Sequence, residues 1–174
     1  MVAAALVAPG VQAAPGVGVS STLSAVYWDD AQQAGGAGVN DDAEGRSLAV
    51  APDGTVLVTG DLEGGAAISP DTAYFPVSAD DSIALTSTGY DVFVAALATD
   101  DSYFAWAQRV GGDGSAATSA SSVAVAADGT VLVTGNFNRA VYFPVSADDS
   151  IALTSTGSDD VFVAALNADD SYFA

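Results

Sequence analysis

The strongest constraint on this 174-residue chain is that it repeats itself. The segment SLAVAPDGTVLVTG, Ser47 to Gly60, returns as SVAVAADGTVLVTG, Ser122 to Gly135, changed only at Leu48/Val123 and Pro52/Ala127. YFPVSADDSIALTSTG occurs unaltered at Tyr74 to Gly89 and at Tyr142 to Gly157, and DVFVAAL starts at both Asp91 and Asp160. Self-similarity of this kind means one supersecondary unit used twice, and such a unit buries its apolar surface against its neighbours. The first blocks lie 75 residues apart and the second 68, because thirteen residues (61–73) separate them in repeat one and six (136–141) in repeat two. An insertion between otherwise matching blocks belongs in a surface loop. Gly64 to Asp71 is therefore expected to bulge from the body.

Within each repeat, short Val-rich runs alternate with turn residues, which is the pattern of strands. SLAVA and TVLVTG flank Pro-Asp-Gly or Ala-Asp-Gly, where Asp-Gly supplies the positive backbone angle of a tight hairpin. AYFPV and SIALTST flank Ser-Ala-Asp-Asp, and DVFVAAL and SYFAWAQRV flank Thr-Asp-Asp. Each repeat thus holds about three hairpins, and the expected fold class is all-β, made of antiparallel β-blades from a two-fold internal repeat. The chain divides into an apolar N-terminal segment (1–24), a partial repeat with an acidic loop (25–46), repeat one (47–121) and repeat two (122–174).

The order W-A-Q-R-x-G-G-x-G-S, then S-x-A-V-x-x-D-G-x-V-x-V-T-G, then L-T-S-T-G-x-D-x-F-V-A resembles the bacterial β-propeller repeat often called the SBBP repeat. The resemblance extends from about Tyr27 to Ala174. It implies propeller-like blades in an exported or surface protein of a bacterium and implies no particular chemistry. The repeats here are longer than a usual blade of about 40–50 residues.

Propellers close with typically about four to eight blades, so two repeats do not close a ring. Repeat one runs SYFA into WAQRVGGDG, repeat two stops at SYFA, and AVYWDDAQQAGGAG (25–38) reads as a diverged version of the missing continuation. The chain is thus expected to act as a permuted two-repeat unit, each tail completed by a neighbour's head. Such a heterologous contact gives a ring if the rotation closes and a filament if it does not. A donated strand from the apolar N-terminal segment would resemble donor-strand complementation. The assembly residues expected on this reading are Val2, Leu6, Val7, Tyr27, Trp28, Tyr172, Phe173 and Ala174. Two other arrangements fit the same residues: a compact two-repeat monomer, and a fragment of a larger surface propeller acting as a glycan- or protein-binding adhesion module.

Composition narrows the chemistry. The chain has 20 Asp and two Glu against three Arg, with no Lys, His or Cys, for a net charge of -19. Zinc sites of the common kind, Ser-His or Cys-His nucleophile pairs and imidazole bases are excluded. The charge repels nucleic acid and anionic membranes. No stretch reaches the roughly 20 apolar residues of a membrane-spanning helix. The first residues resemble the end of a secretory signal without its positive n-region. The expectation is a non-enzymatic, extracellular or cell-surface structural protein, a homo-oligomer or polymer that also has glycans or surface proteins as candidate partners.

Asn40, Asp41, Asp42 and Glu44 form an acidic cluster that offers oxygen ligands to calcium, although its spacing departs from an EF-hand loop. Paired Asp at 80–81, 100–101, 148–149 and 169–170 sit between strands and read as turn chemistry, since consecutive turn residues point apart. A glycosidase would need two carboxylates facing one cleft. Tyr74, Phe75, Tyr103, Phe104, Trp106 and the second-copy Tyr142, Phe143, Tyr172 and Phe173 read as core between blades, or as a sugar platform. GGAG and GGDG read as turns between blades. Arg109 is expected to pair with an Asp.

Overall fold

In a computed structural model of the chain, residues 31–36, 42–64, 71–98, 103–112, 114, 116–167 and 172–173 are described. The chain is all-β over these residues. The first half contains β1 (Asp42–Val50), β2 (Val56–Glu63), β3 (Asp71–Pro76), β4 (Ser82–Ser87), β5 (Tyr90–Leu97) and β6 (Phe104–Val110). The second contains β7 (Thr118–Val125), β8 (Val131–Phe137), β9 (Ala140–Pro144), β10 (Ser150–Thr154), β11 (Asp160–Asn167) and β12 (Tyr172–Phe173).

Hydrogen bonding sorts the strands into two four-stranded antiparallel sheets, β1-β2-β5-β6 and β7-β8-β11-β12, and two separate hairpins, β3-β4 and β9-β10. Each hairpin is thus inserted between the two central strands of its sheet. The three expected strand pairings of repeat one are all present. The two sheets do not close into a propeller.

Local chemistry explains the shared geometry. Gly54 and Gly129, in the two Asp-Gly turns, take φ of 94° and 90°, a region open to glycine without steric cost. Asp53 and Asp128 accept the Thr55 and Thr130 N–H groups at 2.9 and 3.0 Å, closing the turns. The outer strands carry bulges at matching places, Gly45/Ser47 in β1 and Ala120/Ser122 in β7. Opposite each bulge a glycine is required: a Cβ on Gly60 would lie 1.9 Å from the Glu44 carbonyl oxygen, and one on Gly135 2.1 Å from that of Ser119.

The insertion within repeat one behaves differently at its ends from the expected bulge. Gly64 is buried and donates its N–H to the Gly89 carbonyl at 2.6 Å, and Asp71 already belongs to β3. The remainder, 65–70, lies outside the described residues. In repeat two only Asn138 and Arg139 link β8 to β9, and Arg139 adopts a φ of 59°.

Each sheet has a front and a back. The front of the first sheet, with Leu62, Phe93 and Ala95, packs on its own hairpin through Ala73, Phe75 and Leu85. Phe75 meets Phe93 and Phe104 at ring-centroid distances of 5.2 Å. The front of the second sheet meets its hairpin the same way, Phe143 on Phe162 at 5.2 Å. The back of the first sheet, Leu57, Val92, Val94 and Ala96, forms one core with Val123, Val131 and Val133 on the front of the second. β5 is consequently buried on both faces, as its unbroken apolar run requires.

Stacking places sequence-equivalent residues in opposite surroundings, so their truncations should differ. Leu57→Ala, in the core between the sheets, is expected to cost about 2–5 kcal/mol. Leu132→Ala, its counterpart on the uncovered back of the second sheet, should cost less than ~1 kcal/mol. Urea denaturation of both variants checks this.

Candidate functional site

The two ends of the stack present the most informative surfaces. Val92 and Val94 are 0% exposed on the back of the first sheet, while their counterparts Val161 and Val163 are 75% and 73% exposed on the back of the second. The front edge shows the converse. Val123 is 5% exposed between the sheets, whereas its counterpart Leu48, on the front of the first sheet, is 67% exposed, and Val50 is exposed beside it. The molecule therefore carries an uncovered back on its second sheet and, on the front of its first, an uncovered outer strip at Leu48 and Val50. Each is the copy of a surface for which the fold supplies a partner elsewhere.

Residues 31–36 extend this correspondence. Gly35 and Tyr74 exchange backbone hydrogen bonds at 3.2 and 3.0 Å, and Gly111, which follows β6, accepts the Tyr142 N–H at 3.0 Å. Ala34 packs on the core of the first sheet and hairpin, as Val110 does on that of the second. Residues 31–36 thus lie against the first hairpin as the end of β6 lies against the second. In repeat one, β6 is the outer strand of the preceding sheet. The glycine stretch GGDG, read as a turn, joins the hairpin by this bridge at its first glycine.

Several expected site residues fall outside the described part: Val2, Leu6, Val7, Tyr27, Trp28 and Ala174, and the side chains of Tyr172 and Phe173. The backbone of the latter two pairs with Asn167 and Leu166. Of the calcium cluster, Asn40, Asp41 and the Asp42 side chain also lie outside. Glu44 is bonded to Arg46 at 2.9 Å. Among the described residues no group of three or more acidic, His or Cys side chains converges.

The described Asp pairs make turn bonds. Asp81 and Asp149 each accept, through a side-chain oxygen, the N–H of the following Ser at 2.8 Å, and their carbonyls accept from Val77 and Val145. Arg109 finds its Asp: Nη1 donates to Asp91, which is buried. Phe75, Phe104 and Phe143 are core, while Tyr74 and Tyr142 are exposed. Trp106 lines a cleft of about 520 Å³ between the two Asp-Gly turns, together with Pro52, Asp53 and Asp128.

Sequence reasoning missed Asp61 and Arg46. Asp61, at the head of the insertion, accepts from Arg46 Nε at 2.8 Å and also from Ser119 Oγ and the Ala120 N–H, at 3.0 and 2.7 Å, bridging the sheets. Hydrogen bonding to Asp61, then its charge, raises the Arg46 pKa. No local motif marks such a contact, which depends on sheet stacking. The bare valines, by contrast, had a signal: when DVFVAAL occurs twice in two stacked units, only one copy is covered.

No family model, curated protein or solved structure matches the chain. The resemblance to the β-propeller repeat rests on the quoted motifs alone.

The turn carboxylates make acid stability testable. Bonds from Thr55 and Thr130, the backbone N–H first and the hydroxyl second, hold the Asp53 and Asp128 carboxyls below the ordinary range. Groups with a depressed folded pKa stabilise above their unfolded pKa and lose that contribution as pH falls through the folded value. A double variant, Asp53→Ala with Asp128→Ala, should therefore melt below the wild type at pH 7, with the gap closing as the pH falls below the ordinary carboxylate range. Melting curves across that range read the effect.

Proposed function

We propose that this chain is a non-enzymatic structural protein, exported to the outside or surface of a bacterial cell, whose sheets act as propeller-like blades and assemble head to tail. One observation carries the reading: the exposed back of the second sheet and the exposed strip at Leu48 and Val50 on the front of the first are the counterparts of surfaces that stack inside the molecule. A second copy of the chain offers the back of one molecule the front of the next. Residues 31–36, which meet the first hairpin as the end of β6 meets the second, would then complete the outer edge of the neighbour's second sheet. This is strand complementation combined with face stacking. Repetition of one heterologous contact produces a ring or a filament.

The chemistry of the described residues favours scaffolding over catalysis. The carboxylates with resolved roles close turns or pair with Arg, and the chain holds no His or Cys. The acidic, Lys-free surface and the signal-like start suit an extracellular setting, where cations balance charge. Between subunits of charge -19, long-range repulsion opposes assembly and is screened as the Debye length falls from about 30 Å at 0.01 M salt to about 8–10 Å near 0.1 M.

Light scattering coupled to size exclusion tests this. The mass should rise with protein concentration and with salt from 0.01 to 0.5 M. Val163→Asp, which places an unpaired charge on the proposed contact but an exposed one in the free chain, should weaken association by about 100-fold, corresponding to ~3 kcal/mol, without lowering the melting temperature. A single 17.1 kDa species under all conditions would overturn the reading.

A further inference from the structure

The internal stacking is locked by polar contacts as well as apolar ones. Asp61 on the back of the first sheet accepts the Ala120 N–H and the Ser119 hydroxyl of the second. Beside it the Val123 N–H donates to Ser47 Oγ at 3.3 Å. These contacts cluster at the β7 bulge, whose counterpart in β1 lies between Gly45 and Ser47. Projecting the lock by the 75-residue offset, Asp61 corresponds to Asn136, and Ser119 and Ala120 correspond to Glu44 and Gly45.

The differences on the two sides of that projected contact compensate each other. A carboxylate at position 136 would face the Glu44 carboxylate, and like charges set opposite one another disfavour the pairing. A carboxamide removes the conflict, because its NH2 donates to a carboxylate and its oxygen accepts a backbone N–H. Both side chains are available in the single chain: Asn136 is exposed, and Glu44 is 63% exposed even with Arg46 bonded to it. Gly45 has nothing within 4 Å of where its Cβ would stand, so a neighbour's side chain can approach its backbone.

We propose that Asn136 of one copy seats against Glu44 and the Gly45 N–H of the next, setting the register in which the back of a second sheet accepts the front of another copy's first sheet. The inference rests on the head-to-tail reading above and adds to it the partner surface and the residue that selects it. Asn136 is a specificity-determining residue here. It replaces the Asp that serves inside the molecule because the partner strand carries Glu where the internal one carries Ser.

The chain's lack of cysteine allows a direct test. Two single-cysteine proteins, Asn136→Cys and Gly45→Cys, are mixed under mild oxidation. A disulfide-linked heterodimer should form in the mixture, with little dimer from either protein alone. In parallel, Asn136→Asp should weaken association by about tenfold or more at low salt, and less at high salt. Adding Glu44→Ser to Asn136→Asp recreates the internal Asp-Ser pairing and should restore association. Both positions are exposed, and unchanged melting temperatures verify the fold. An intact chain that assembles while the mixture stays uncrosslinked and Asn136→Asp has no effect would overturn this register and leave assembly standing. An intact chain that remains monomeric at every concentration and salt would overturn both.

Discussion

The back of one sheet packed on the front of the next is the contact on which the rest of the molecule depends. Leu57, Val92 and Val94 bury against Val123, Val131 and Val133, and β5 is enclosed because of it, with its own hairpin on the other side. A four-stranded sheet of this composition has few large side chains, and its apolar area becomes useful only when another sheet covers it. Stacking also supplies the polar anchor, since Asp61 reaches across to backbone and hydroxyl donors that a lone sheet leaves to solvent. The same contact has a geometric consequence. A back-to-front joint is not self-complementary, so any open row of units leaves one unmatched back and one unmatched front.

That consequence ties the architecture to the proposed role. The bare valines at 161 and 163 lie on the uncovered back of the second sheet, and the bare Leu48 on the uncovered strip of the first sheet's front. Large exposed aliphatic residues in one patch mark interaction sites. The proposed partner, a second copy of the chain, is suggested by the repeat, because the molecule already contains a fitted back-to-front contact. In the proposed assembly the acidic surface would work against the apolar contact, so ionic strength would govern it.

Much of this architecture was legible in the residues. The Asp-Gly turns, the three hairpins per repeat and the turn role of Asp80-Asp81 and Asp148-Asp149 all follow from local chemistry, and local chemistry is what a sequence displays. The hairpin inserted between β2 and β5, and the order β1-β2-β5-β6, were not legible, because turn signals say which runs are joined and not which strands become neighbours. Asp61 was hidden for a related reason: it sits in the insertion by sequence and at the sheet junction in space. Arg46 lacked any surrounding motif, yet it bonds Asp61 across the β1 bulge. The exposed face of β11 could have been inferred from the exact duplication of DVFVAAL, once two copies are understood to leave one end uncovered.

In the proposed assembly the uncovered back and the uncovered strip of the front meet between copies as back and front do within one. Hydroxyl-radical footprinting read by mass spectrometry at low and high protein concentration addresses it at residue level. Leu48, Val50, Val161 and Val163 should become protected together as the chain associates, while exposed Ile151, on the inserted hairpin, keeps its labelling rate. Association without any change at those four residues would rule out back-to-front stacking between copies.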